Sequence, residues 1–214
     1  MIELDRAEAI RYMGYHGTQP DDTVLASLTR CGAALQQAVA PKSIYRVFPL
    51  THLGEDTLGV ADVQIHSKNL ARNLQGCSEV CLMAATLGIG ADRLITRASA
   101  VRMSDAVIYQ AAAAAMIETY CDAVNDRIRQ EAAARGKYCR PRFSPGYGDF
   151  PIMHQRDFSR LLDTPRKIGL TVTESCLLAP IKSVTAVIGL SDTPQPCHRK
   201  GCEQCGKTDC AFRR

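Results

Sequence analysis

Long apolar runs are absent from these 214 residues. The strongest uncharged apolar stretch, Ala106 to Ile117, is too short to span a bilayer. The opening Met-Ile-Glu-Leu-Asp-Arg lacks the charged-then-apolar pattern of a secretory leader. The expectation is a cytoplasmic protein with no membrane partner. An excess of one charge is lacking as well. The formal net charge is +4, and three of those charges fall between Cys197 and Arg214, where Arg199, Lys200, Lys207, Arg213 and Arg214 outnumber Glu203 and Asp209. The rest of the chain is nearly neutral, which argues against a broad phosphate-binding face and against nucleic acid as a partner. A dinucleotide fingerprint is missing too. Thr86-Leu-Gly88-Ile-Gly90 follows a predicted strand and precedes a helix, but Arg93 stands where the third glycine belongs, and no regular strand–helix alternation follows. That stretch is expected to be a strand-to-helix turn.

Cysteine, by contrast, is plentiful. Ten cysteines in a chain with no sign of secretion point away from a disulfide framework. Six of them, Cys31, Cys77, Cys81, Cys121, Cys139 and Cys176, are scattered and are expected mostly as buried thiols. The other four form Cys197-x4-Cys202-x2-Cys205-x4-Cys210, interleaved with glycine and charged side chains. Such a stretch cannot build a core, and it has the ligand count for one tetrahedral metal site; the spacing leaves zinc and an iron–sulfur cluster both open. His198 adjoins Cys197 and could stand in for it, whereas His16, His52, His66 and His154 are expected at the surface. The length suits one domain over residues 1–194 with a metal-binding tail over 195–214.

Along the chain, Asp5 followed by Glu8 marks a helix start, and a second helix is predicted from Pro20-Asp21-Asp22 to the stop at Pro41. Strand-like runs follow over 44–50 and 58–65, parted by Gly54-Glu-Asp56. Ser67 caps a short helix ending at Gly76, and Glu79 to Thr86 reads as a buried strand. The longest helix is predicted from Ser104 to about Arg135. Its Ile117, Cys121, Val124 and Ile128 form an apolar stripe, beside which Glu118, Asp122, Asn125 and Arg129 form a polar one, with two carboxylates a turn apart. Residues 155–162 are expected as helix, and 169–173 and 183–190 as strands. Helices mixed with antiparallel-looking strands, without a βαβ rhythm, imply an α+β fold.

The most unusual stretch is Arg140-Pro-Arg-Phe-Ser-Pro-Gly-Tyr-Gly-Asp-Phe-Pro151, with three of the ten prolines. Proline restricts its own φ and its predecessor's backbone, and glycine permits φ > 0, so a shaped loop is expected here. It carries a guanidinium (Arg142), a hydroxyl (Ser144) and a phenol (Tyr147), groups that suit a small ligand with a carboxylate and a flat polar ring. The long helix leads into this loop within a few residues, so its acidic stripe could overlook whatever the loop holds.

Two separated motifs carry a family resemblance. Arg142-Phe-Ser-Pro-Gly-Tyr147 resembles the Arg-x-x-x-Gly-Tyr loop of the activation domain of cobalamin-dependent methionine synthase, and Thr173-Glu-Ser-Cys-Leu-Leu-Ala-Pro180-Ile-Lys-Ser183-Val184 is similar to that domain's Thr-Glu-Ser-Tyr-x-x-x-Pro-x-x-Ser-Val segment. The resemblance implies a C-shaped α+β domain with a bent antiparallel sheet and flanking helices. It also implies S-adenosylmethionine as ligand and a stand-alone reactivation role: reductive remethylation of cob(II)alamin to methylcobalamin on a separate methionine synthase or corrinoid protein. The electron would come from flavodoxin or a ferredoxin-like donor. On this footing Arg142 would pair with the methionyl carboxylate, and Ser144, Pro145, Gly146 and Tyr147 would cradle the adenosyl part. Glu118 and Asp122 would supply acidic contacts from the helix, and Glu174, Ser175 and Cys176 would support the site. In-line methyl transfer asks for positioning, so no general acid or base is expected. The sequence departs from the family at Cys176, where a tyrosine is usual, and at Gly148-Asp149-Phe150, where Pro usually follows Gly-Tyr. No Asp-x-His-x-x-Gly cobalt-ligand motif occurs, so cobalamin is expected only through the partner.

Two other readings remain open from sequence. One is an S-adenosylmethionine-dependent methyltransferase acting on a non-corrinoid acceptor. The other is a non-enzymatic module in which the metal knob grips nucleic acid, weakened by a tail whose one aromatic residue is Phe212.

Overall fold

The computed structural model describes residues 2–15 and 17–194. His16 and the expected ligands Cys197, Cys202, Cys205 and Cys210 lie outside the described residues. The first helix, α1 (Arg6–Tyr12), begins where Asp5 accepts a hydrogen bond from the Glu8 amide at 3.0 Å. The second, α2 (Asp22–Ala38), begins in the same way, with Asp21 accepting from the Val24 amide at 2.9 Å. Strand β1 (Lys42–His52) follows, and then a correction to the expected single strand over 58–65. It is a hairpin of β2 (Thr57–Val60) and β3 (Val63–His66), because the chain reverses at Ala61-Asp62 with Ala61 at φ 52° and Val60 opposite Val63. The reversal pairs Leu58 with Ile65 and buries Leu58, Val60 and Ile65 together, which one continuous strand would not do, because Ile65 would face the side opposite Leu58 and Val60. The switch of the apolar positions from even to odd after Val60 is the trace of the turn in the sequence.

Helix α3 (Lys68–Asn73) is capped by Ser67, and β4 (Cys77–Thr86) is buried almost throughout. Helix α4 (Ile89–Val101) starts at Gly88, confirming the strand-to-helix turn. Gly90 is required there for space: a Cβ would lie 1.9 Å from the Ala38 carbonyl oxygen. Then come α5 (Met103–Ala134), β5 (Tyr138–Cys139), α6 (His154–Leu162), α7 (Thr164–Ile168), β6 (Thr171–Val172), β7 (Leu178–Ala179) and β8 (Ser183–Ser191).

Six strands form one antiparallel sheet in the order β3-β2-β1-β4-β8-β5, and β6 and β7 make a separate two-stranded ribbon. The period of two along β4 explains its unbroken apolar run. Cys81, Met83 and Ala85 face a core shared with α2, α4 and α5, while Val80, Leu82 and Ala84 face a second core containing Phe150, Phe158 and Leu162. The fold is thus α+β, an antiparallel sheet with helices on both faces. Cys31, Cys77, Cys81, Cys121 and Cys176 are buried free thiols and Cys139 is half-buried. His52 and His66 are exposed as expected, but His154 is not a surface residue. The first turn of α6 faces the second core, so the His154 ring lies 5.5 Å from that of Phe150, and its Nδ1 meets Asp157 Oδ2 at 2.8 Å. No helix among the described residues is long and apolar enough to cross a membrane.

Candidate functional site

Helix α5 presents its two stripes as its spacing predicts. Ile117, Cys121, Val124 and Ile128 are buried, and burial pushes the Cys121 thiol up to about 12. Glu118 and Asp122 face outward, and the Arg142 loop comes to them. It does so because the chain after β5 keeps following β8: the Arg140 amide donates to the Gly189 carbonyl at 2.8 Å, and Phe143 and Val187 exchange both backbone bonds at 2.9 and 2.8 Å. Held at that edge, Arg142 sends Nη2 to Asp122 Oδ1 at 2.9 Å and to Glu118 Oε2 at 3.4 Å. Its Nη1 is buried without an acceptor among the described residues. One cation thus stands between two carboxylates, a cluster of formal charge −1 with guanidinium capacity in reserve.

Beyond Arg142 the loop folds back on itself. The Tyr147 amide donates to the Ser144 carbonyl, the Gly146 amide to the Phe150 carbonyl at 2.8 Å, and the Phe150 amide to the Tyr147 carbonyl at 3.0 Å. Pro145 is buried, whereas Tyr147 is 65% exposed. The pKa of its phenol is raised by partial burial, then by the nearby Glu118 carboxylate and by Tyr12. Gly148 takes φ +56° where a Cβ would lie 2.4 Å from Asn69 Nδ2, so the loop backbone packs directly against the Asn69 side chain of α3. Asp149 then fastens them together, accepting from the amides of Lys68 and Asn69 at 2.8 and 3.1 Å and from the Ser67 hydroxyl. Those bonds hold its carboxyl below the usual range. No local sequence signal marks Asp149 as a cap for a helix so far away in the chain.

The second motif forms the ribbon's turn. Thr173 Oγ1 lies 3.0 Å from Ser175 Oγ and accepts from the Leu177 amide, while Cys176 turns inward at φ 61°. The Glu174 carbonyl accepts from Arg156 Nη2. The chain then crosses to the helices, the Ile181 amide donating to Asp92 Oδ2 at 2.9 Å and Lys182 Nζ to the Gln110 carbonyl at 3.2 Å. Arg142, Glu118 and Asp122 are therefore brought together with Tyr147 beside them. Among the described residues no hydrogen bond or ion pair joins Glu174 or Ser175 to that trio. Nor do three or more His, Cys, Asp or Glu side chains among the described residues gather as a metal site.

Residues 69–196, more than half of the chain, match the family model described as the vitamin B12 dependent methionine synthase activation domain. The structure is similar to the crystal structure of the MetH reactivation domain bound to AdoHcy, with a TM-score of 0.65 at 16% identity, covering 90% of this chain and 75% of that one. At that identity the likeness speaks for the fold. None of the curated proteins matches the sequence significantly. The matched segment contains both the Arg142 loop and the Thr173–Ser183 motif, set on a sheet of the same architecture. This chain belongs to the family of vitamin B12-dependent methionine synthase activation domains.

Proposed function

We propose that the cluster of Arg142, Glu118 and Asp122 binds S-adenosylmethionine and that the protein supports reductive remethylation of cobalamin held by a methionine synthase or related corrinoid protein. The observation that carries the reading is the 2.9 Å pair of Arg142 with Asp122 beside Glu118. An amino-acid ligand can exchange with that pair one charge for one. Its carboxylate takes Arg142, whose buried Nη1 lacks an acceptor, and its ammonium takes the carboxylate that Arg142 releases. S-adenosylmethionine carries a sulfonium besides, so its net charge of one positive complements the cluster's one negative. The loop from Ser144 to Tyr147 offers a fixed backbone and an exposed ring to the adenosyl half, with Cys176, Glu174 and Ser175 supporting the site from the neighbouring ribbon. A bound S-adenosylhomocysteine in a structural relative of the same fold is consistent with this ligand class.

The corrinoid, supplied by the partner, accepts the methyl group in its reduced state. The carbon–sulfur bonding pair stays with the sulfur, and one electron from a flavodoxin or ferredoxin-like protein is consumed in reaching that state. This chain's share is to hold the sulfonium in line and to exclude alternatives, which requires no proton transfer. The count and spacing of Cys197, Cys202, Cys205 and Cys210 support a metal centre in the tail, zinc or an iron–sulfur cluster.

Calorimetric titration with S-adenosylmethionine tests the reading. Binding by the wild type that disappears in Arg142→Ala, with the melting transition retained, is the expected result. Equal affinity in the two proteins removes Arg142 from the site and the proposal with it.

A further inference from the structure

Residues 1–196 carry one net positive charge between them, yet a single cleft concentrates two. It lies where α2, α4 and α5 pack on one another and has a volume of about 480 Å³, within the range of small-molecule sites. Three arginines line it, Arg30 from α2, Arg97 from α4 and Arg102 from the α4–α5 junction, with Asp105 as the one acid. Asp105, in the first turn of α5, sets their arrangement. Both its oxygens accept from Arg30 Nη2, at 2.9 and 3.0 Å, and Arg102 Nη1 lies 3.9 Å from Oδ2. Two guanidinium groups are thereby held side by side on a carboxylate that is only 13% exposed. Arg97 makes no hydrogen bond or ion pair with the described residues. It shares one face of α4 with Leu94, Ala98 and Val101 at helical spacing, so the cationic wall continues into an apolar one. Ala98 and Tyr109 are buried beneath it, whereas Val101 at the rim leaves its side chain open to solvent. Three guanidinium forks therefore meet one carboxylate, already engaged, beside an apolar bed. The cleft is separate from the Arg142 cluster, because Asp105 and Glu118 stand roughly 20 Å apart along α5.

We propose that this cleft is a second ligand site, taking the dianionic phosphate of a small phosphorylated molecule on Arg30, Arg97 and Arg102 and the carbon part of that molecule on Leu94, Ala98 and Val101. A dianion balances the two net positive charges of the cleft. A planar guanidinium meets phosphate oxygens through two N–H donors at once, which a lysine cannot do. The Arg30–Asp105 pair can stay in place, since it occupies one nitrogen of Arg30 and leaves Arg97 and most of Arg102 to the phosphate. The inference does not depend on the assignment of the Arg142 cluster, because the two sites share no residue.

The test is calorimetric titration of the full chain with phenyl phosphate, a dianionic phosphate on an apolar ring, and with inorganic phosphate, at mildly alkaline pH and low salt. The proteins are the wild type, Arg97→Ala, Arg102→Ala and, as a control that also removes one positive charge, Arg142→Ala. Arg97 and Arg102 are exposed, so both variants should melt like the wild type. The expected result is that each binds phenyl phosphate on the order of tenfold more weakly, the loss that goes with a hydrogen bond to a charged group. Arg142→Ala should bind it normally, and the wild type should bind inorganic phosphate more weakly than phenyl phosphate. Wild-type affinity in folded Arg97→Ala and Arg102→Ala overturns the assignment of the cleft. An equal loss in Arg142→Ala shows attraction to net charge alone and overturns it as well. Inorganic phosphate binding as tightly as phenyl phosphate removes the apolar bed and with it the organic ligand. A wild type that does not bind phenyl phosphate at millimolar concentration overturns the proposal, whether or not it binds anionic lipid vesicles instead.

Discussion

Asp149 accepts the Lys68 amide at 2.8 Å, so the far end of the Arg142 loop and the start of α3 form one unit although they are distant in sequence. The loop is therefore anchored at both ends: by the bonds of Arg140 and Phe143 to β8 at its entry, and by Asp149 at its exit. A ligand bound as proposed would meet a shaped surface there, with the Arg142 side chain exchanging its partners.

Asp149→Asn should loosen that anchor. The substitution leaves a side-chain oxygen but removes the charge that favours the amides at a helix start, a loss of about 0.5–1 kcal/mol. Hydrogen exchange at the Tyr147 and Phe150 amides should rise, with the sheet amides unchanged; unaltered exchange in the loop would show that Asp149 is not the anchor.

The same carboxyl predicts a pH dependence. Its pKa is depressed in the folded protein, chiefly by the Ser67 hydroxyl and then by the amides it accepts. Its contribution is therefore fully present above the ordinary carboxylate range and is lost as pH falls through the depressed value. Loop protection measured from neutral pH downward should hold through pH 5 and fall in the acid region below the ordinary carboxylate pKa of about 4. Asp149→Asn should flatten that fall.

Charge complementarity makes a prediction about product. S-adenosylhomocysteine lacks the sulfonium charge, so Glu118→Gln should weaken S-adenosylmethionine more than S-adenosylhomocysteine. The difference should be a few-fold, since exposed charge pairs are worth about 0.2–1 kcal/mol. Parallel titrations at low salt decide it, and equal losses for the two ligands would show that Glu118 does not sense the sulfonium.

Gly90→Ala probes the packing of α4 under α2. A methyl group placed 1.9 Å from a backbone oxygen forces the helices apart, and overpacking of this kind costs about 1–3 kcal/mol. Thermal unfolding should reveal the loss; a variant as stable as the wild type would mean that α4 starts differently.

The thiols offer a chemical check on the core. Burial pushes Cys81 and Cys121 up to about 12, so both should resist alkylation in the native protein at neutral pH and react after denaturation. Mass spectrometry of labelled peptides checks this: labelling of Cys121 in the native state would contradict the buried stripe of α5, and labelling of Cys81 the buried face of β4.

Much of this arrangement was legible in the residues. Asp5, Asp21 and Ser67 announced their helices because a cap is a contact between neighbours in sequence. The two stripes of α5 followed from a helical period. The shaped loop followed from proline and glycine chemistry, and the two motifs carried the family likeness. The turn at Ala61 lies inside a short strand-like run with no glycine or proline at its corner, and its trace is the switch of the apolar positions from even (Leu58, Val60) to odd (Val63, Ile65). His154, expected outside, is inside because α6 turns its first residue toward Phe150, a ring supplied by the loop.

From sequence alone came the longer helices and strands, the α+β class and the candidates Arg142, Glu118 and Asp122, since all of these depend on local spacing and residue chemistry. Tertiary structure decided which candidates meet. The loop follows the β8 edge far enough to place Arg142 against α5, and Asp149 locks it to α3. These relations join segments far apart in the chain, and local propensity carries no information about contacts that exist only once the sheet has brought its neighbours into register.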